Sequence, residues 1–219
     1  MQELVVKKDE NIIRELAKKY AEIAQKEIQQ ERRELWRNHN SFENTRPLVY
    51  VREFLSIPEL IDPLLECEEK TLREIETTLR YWIQHDSFND DYIIEPWIII
   101  PAVHHVPINK RWGLEISYEE SSTERGAWKF NPPIKELKHK EDLILPHHRI
   151  DENATEKKYR RIEDIIGDII PVVVGRAPIY TPNFAEDLVY LRGLEQVLWD
   201  MHDNKAWLHE LISFLQKGL

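Results

Sequence analysis

The 219-residue chain has little cysteine, little glycine and no long apolar run. The single cysteine, Cys67, rules out an internal disulfide. It also rules out a thiolate-rich zinc or iron–sulfur centre built from this chain alone. Cys67 lies in Glu66-Cys67-Glu68-Glu69, where neighbouring negative charge disfavours the thiolate, so a nucleophilic role is not expected. No apolar stretch approaches the roughly 20 residues that span a bilayer. The opening MQELVVKKDE lacks the apolar core of a signal peptide, so a cytoplasmic location is expected. Asn153-Ala154-Thr155 then matches the glycosylation acceptor pattern only by chance. Cations are outnumbered, 30 Lys and Arg against 40 Asp and Glu, giving a net charge of −10. Nucleic acid or an anionic membrane would repel such a chain as a main partner. No Gly-rich phosphate loop, Gly-x-Ser-x-Gly elbow or His-Glu-x-x-His helix occurs, which removes the sequence signatures of three common site chemistries.

What is present is an alternation of helix and strand signals. At 42% hydrophobic residues the chain can bury a sizeable core in one or two domains. Residues 9–37 read as one long amphipathic helix, with Ile12, Leu16, Tyr20, Ile23 and Ile28 near the helical period. Pro47 then opens a buried strand, Leu48-Val49-Tyr50-Val51, with Arg52 at its carboxyl end. Leu72, Ile75, Leu79, Trp82 and Ile83 predict a second helix ending near His85. A second strand is expected over residues 93–100, and His104 and His105 follow it. Residues 106–150 are aperiodic and rich in Pro, Lys, His and Glu, an excursion from the main fold with short strand-like pieces at 114–116 and 128–130. A helix over 151–166 leads to a third strand over 169–174, ending at Gly175-Arg176. The rest is helical, with one stripe of Leu191, Leu194, Leu198 and Met201 and another of Leu208, Leu211, Ile212 and Leu215, broken near Asp203-Asn204.

This order predicts an α/β fold with a parallel sheet covered by helices. Residues 1–45 form a helical leader and 46–219 the body. Three strands cannot close a barrel of eight, which needs about 250 residues, so the chain is expected to stop partway round such a barrel.

Arg46-Pro47-Leu48-Val49-Tyr50-Val51-Arg52, the run from Pro171 to Thr181, and Leu191-Arg192-Gly193-Leu194-Glu195 with Asp200 together resemble the uroporphyrinogen decarboxylase superfamily of (β/α)8 TIM barrels. Leu35-Trp36-Arg37-Asn38-His39-Asn40 and Gly126-Ala127-Trp128 look most like an uncharacterised bacterial branch related to corrinoid-linked methyltransferases. The resemblance implies a partial TIM barrel corresponding to the amino-terminal half of that fold. Two features depart from the decarboxylases. Glu53-Phe54-Leu55 follows Arg52 where they carry a second arginine, and 100–105 lacks the aspartate that binds pyrrole nitrogens. The resemblance therefore implies methyl transfer on a small anionic substrate ahead of decarboxylation of a polycarboxylated, porphyrinogen-like one. The chain itself is expected to hold no cofactor; zinc and a corrinoid enter only if the missing half supplies them.

Active sites of parallel barrels lie at the carboxyl ends of the strands. That position selects His104 and His105 as candidate acid or base, since histidine titrates near neutrality. Adjacent residues of a strand point to opposite faces, so at most one of the two faces a shared mouth, and a jointly held metal is not expected. Arg52 and Arg176 offer planar donors for a carboxylate or phosphate, unless a local acid such as Glu53 or Glu186 takes them. Tyr180 and Trp112 complete the substrate-binding candidates. Trp97 and Trp128 are weighed between pocket and core, while His139, His147 and His148 are expected in solvent. A third reading is a non-catalytic half-barrel: its open strand edges and apolar helix faces would pair with a complementary half or a second copy.

Overall fold

A computed structural model describes residues 2–52, 57–105, 112–123, 126, 129–147, 149–177 and 183–218. The chain is mixed α/β and divides into two compact units. The first comprises residues 1–102 and 152–176, the second residues 103–151 and 177–219. The leader is thus no separate element, and the excursion belongs with the carboxyl-terminal helices.

In the first unit the long amino-terminal helix is two: α1 (Gln2–Ala24) and α2 (Glu27–Asn40). Lys26 adopts an extended conformation between them, and the Gln29 side chain donates to the Ile23 carbonyl at 3.4 Å across the break. The break turns the helical face, which leaves Ile28 exposed while Ile13, Leu16, Ala17 and Tyr20 are buried. A single turn, α3 (Ile57–Leu60), precedes α4 (Lys70–His85). Glu69 caps α4 by accepting from Leu72 N at 2.9 Å, and the predicted stripe buries Leu72, Ile75 and Leu79.

Strand β1 (Ile98–Pro101) and strand β6 (Val172–Gly175), joined through α5 (Glu152–Ile166), pair in parallel with Ile98 opposite Val172 and Ile99 opposite Val173. Helices α1, α4 and α5 cover one face, burying Ile98, Ile100, Val172, Ile162 and Ile166 in one core. The other face is open: Ile99 is 57% and Val173 44% exposed. Ile98 and Ala102 give their N–H groups to the carbonyls of Pro171 and Gly175. By strand alternation Ile99 therefore directs its backbone to one free edge, and Val172 and Val174 direct theirs to the other. Gly175 sits where an added Cβ would lie 2.7 Å from Ile99 Cγ2. Gly175→Val should therefore destabilise the first unit by about 1–3 kcal/mol in urea unfolding, the scale of an overpacked contact, and a neutral result would mean that the pair opens freely.

Residues 48–51 are not a strand, which corrects the sequence expectation. The segment is extended but pairs with neither β1 nor β6. Two aspartates take its N–H groups: Asp91 Oδ2 accepts from Val49 N and Asp90 Oδ2 from Val51 N, each at 2.8 Å. Asp91 N donates back to the Val49 carbonyl at 2.8 Å, and Arg46 grips the Asp91 carboxylate with both terminal nitrogens. The sheet among the described residues accordingly has two parallel strands rather than three.

The second unit has its own core of Trp112, Ile134, Leu143, Leu188, Leu191, Val197, Leu208, Leu211 and Leu215. Two antiparallel pairs serve it: β2 (His104–His105) with β5 (Arg149–Ile150), and β3 (Ser117–Glu119) with β4 (Lys129–Asn131). Three helices follow, α6 (Phe184–Arg192), α7 (Leu194–Asp203) and α8 (Lys205–Lys217). Gly193, with φ at +89°, turns the chain between the first two. Of the expected stripe on α7 only Leu191, at the end of α6, is buried; Leu194, Leu198 and Met201 are more than half exposed. Among the described residues no helix is long and apolar enough to cross a membrane.

Candidate functional site

The candidate side chains fall on both units. Arg176, directly after β6, lies on the surface of the first unit and makes a bidentate contact from Nη1 to Glu152 at 2.6 and 2.9 Å. Glu152 opens α5, so the acid that holds Arg176 is not the Glu186 anticipated from sequence. The Glu152 carboxylate raises the Arg176 guanidinium further above its ordinary range. Arg52 is exposed, with its guanidinium carbon 6.0 Å from the centre of the Tyr50 ring.

In the second unit β2 carries both histidines. His104 is half-buried opposite Ile150, and His105 is exposed opposite Arg149. Their differing exposure is the alternation expected of consecutive strand residues. His105 Nε2 lies 2.9 Å from Asp151 Oδ2, forming a His–Asp pair at the surface. The carboxylate orients the imidazole, as a general acid or base requires. Sequence reasoning singled out His105 but missed Asp151, although the short β2–β5 ladder makes them neighbours.

Trp112 is corrected: it is fully buried in the second core, 0% exposed, and its ring is 6.1 Å from Phe214. A side chain with no accessible surface cannot line a substrate pocket without that core opening. Tyr180, Trp128 and His148 lie outside the described residues, as does Glu53. His147 is exposed, as expected, and His139 takes a local role, with Nδ1 accepting from the N–H groups of Lys135 and Glu136.

The most concentrated chemistry in the first unit escaped the sequence. His85 is buried at the end of α4, with Nε2 3.1 Å from Asp90 Oδ2. Tyr50, Tyr81, Trp82, Phe88 and Tyr92 surround it at ring distances of 4.8 to 6.2 Å. Asp90 thus meets three groups, the imidazole and the Val51 N–H through Oδ2 and the Tyr92 N–H through Oδ1 at 3.1 Å. The one available signal was Asn89-Asp90-Asp91 after the helix end, since Asn tolerates the left-handed conformation and Asn89 adopts it with φ at +52°.

A resident zinc is poorly matched by these residues. Cys67, the only thiol, is fully buried, and burial together with Glu76 and Asp9 pushes it far above the usual thiol range. Among the described residues no three His, Cys, Asp or Glu side chains gather to hold a metal ion.

No known protein family matches this chain, and no curated protein or solved structure is detectably similar to it.

Proposed function

We propose that this chain forms part of a uroporphyrinogen decarboxylase-like (β/α) barrel and belongs to an enzyme of corrinoid-linked methyl transfer that acts on a small anionic substrate. The observation that carries this reading is the open second face of the β1–β6 pair. Parallel strands are ordinarily buried on both faces, because their crossover helices cover them. Here one face has its helices and the other presents Ile99 and Val173 to solvent, and among the described residues neither edge is paired. Strands in that state are suited to continuing into a larger parallel sheet.

Within this reading Arg176 binds the anion at the carboxyl end of β6. Its planar donors match a carboxylate or phosphate, and the substrate displaces Glu152 from them. Arg52 is a second cation of the same kind on the first unit; on the second unit His105, oriented by Asp151, is the candidate for moving a proton. Zinc and a corrinoid would be supplied by a complementary half of the barrel.

Calorimetric titration with succinate and with inorganic phosphate tests the anion site. Arg176→Ala should abolish binding, and Glu152→Gln should strengthen it by freeing the guanidinium. Both side chains are more than half exposed, so neither change should move the melting temperature. Anion binding that ignores both substitutions would refute the assignment, and carbon dioxide release from an added porphyrinogen would favour decarboxylation instead.

A second reading, a non-catalytic half-barrel that binds a partner chain or its own copy, is favoured by the exposed Leu194, Leu198, Trp199 and Met201 on α7. Sedimentation should then detect self-association at micromolar concentration. A monomer at every concentration, with one cooperative melt, would count against it.

A further inference from the structure

A cavity of about 180 Å³ opens in the first unit beside the amino-terminal end of β1, the opposite end of the sheet from Arg176. Four of its nine lining residues are aromatic. Trp82 stacks on Tyr92 at 4.6 Å with an interplanar angle of 5°, and Tyr50 stacks on Tyr92 as well at 5.0 Å, so Tyr92 backs the Trp82 ring and holds it in place. Trp97, 37% exposed, and Ile99 lie at β1, and Tyr20 comes from α1. The Tyr20 hydroxyl donates to the carbonyls of Glu95 at 3.0 Å and Trp97 at 3.4 Å, which pins this wall to the helix.

Glu95 is the one charged residue in the lining. Its Oε2 accepts from Arg33 Nη2 at 2.9 Å, while no described group bonds to Oε1. Burial and the neighbouring Glu95 charge push the Tyr20 hydroxyl up to about 12, and Tyr92 is raised by the same two causes among others. The cavity therefore combines aromatic faces, whose quadrupoles attract cations, with a carboxylate that has a free oxygen. Anions are disfavoured there, and the volume is below the roughly 300–1,000 Å³ of sites for drug-sized ligands.

We infer that this aromatic cavity binds a small alkylammonium head, with Trp82 and Trp97 contacting its methyl or methylene groups and Glu95 balancing its charge. Arg33 competes for Glu95 and tempers the affinity. The site goes beyond the anion-binding reading of Arg176 and stands on different residues, so either can fail alone.

Choline is the probe, followed by quenching of tryptophan fluorescence and by calorimetry, with 3,3-dimethylbutan-1-ol as its uncharged isostere. Choline should bind at least about tenfold more tightly than the isostere. Trp97→Ala and Glu95→Gln should each weaken choline several-fold, and Arg33→Gln should strengthen it by freeing Glu95. The opposite sign of the last pair separates charge recognition from simple damage, and circular dichroism checks that each variant is folded. An N-acetyl trimethyllysine amide that binds more tightly than choline would identify a peptide side chain as the source of the head; weaker binding would identify a free amine. Equal binding of choline and its isostere, or binding insensitive to Glu95 and Arg33, would overturn the inference, as would no binding of choline at 50-fold excess over about 1 mM.

Discussion

Asp200→Ala is expected to destabilise the second unit by roughly 3–5 kcal/mol, because it leaves a buried guanidinium without its counter-charge. Arg192 and Asp200 are 4% and 0% exposed. The carboxylate accepts from Arg192 Nε at 2.7 Å and Nη2 at 3.1 Å, and from Asn204 at 2.8 Å and Gln196 at 3.4 Å. Arg192 Nη1 also donates to the carbonyls of Ile134 and Lys135, each at 3.0 Å, so the pair ties α6 and α7 to the segment before residue 137. Trp207 lies over the guanidinium at 5.1 Å, so its fluorescence reports the loss in urea. The double variant Arg192→Met, Asp200→Leu should recover much of the stability, since it removes the charge as well as its partner. A single-variant cost below about 1 kcal/mol would mean that water reaches the pair.

The same pair sets an acid limit. Burial alone would raise the Asp200 carboxyl, but Arg192, Asn204 and Gln196 hold it below the ordinary carboxylate range. A carboxyl with a lower pKa folded than unfolded stabilises fully above its unfolded value, near 4, and loses that contribution as pH falls through the folded one. Wild-type stability should therefore fall below about pH 4, and Asp200→Ala should show a shallower fall.

Glu76→Ala should cost the first unit roughly 2–4 kcal/mol, because two backbone donors lose their acceptor in a dry site. Glu76 is 0% exposed and accepts from Glu66 N at 3.0 Å, Cys67 N at 2.8 Å and Arg80 Nε at 2.8 Å. Burial pushes its carboxyl up, yet these donors hold it below its usual range, so it too releases stability only in acid. Asp9 performs the parallel task for Glu68 N and Glu69 N, each at 2.9 Å. Together the two acids hold the 66–69 turn over Cys67. The thiol should resist a disulfide reagent in the wild type and react readily in Glu76→Ala, measured as release of thionitrobenzoate. Equal reaction rates would refute this role for Glu76.

Where hydrophobic period and local capping decide the outcome, the elements were legible. The stripe of Leu72, Ile75 and Leu79 buries as its spacing predicts, and the break at Asn204 separates α7 from α8 as expected. The candidate site was legible only as positions. His105 and Arg176 follow strands that the apolar runs announce, but their partners Asp151 and Glu152 lie 46 and 24 residues away, beyond any spacing rule. The misread segment 48–51 has a strand's composition, yet side chains 39 and 42 residues distant take its N–H groups before a neighbouring strand can. Trp112 was misplaced for a related reason: a large aromatic in an aperiodic stretch carries no sign of whether a core lies beneath it.

By itself the sequence determined the single thiol, the acidic balance, the apolar face of α4 and the parallel pairing of two apolar runs, because each follows from composition or from a short period along the chain. Only the tertiary structure decided that the leader joins the first core, that the excursion builds a second, that Leu194 and Leu198 stay in solvent, and that Trp82, Tyr92, Trp97 and Glu95 enclose a cavity. Those outcomes depend on which distant groups satisfy a given backbone or cover a given face, and the chain settles them only when its elements pack.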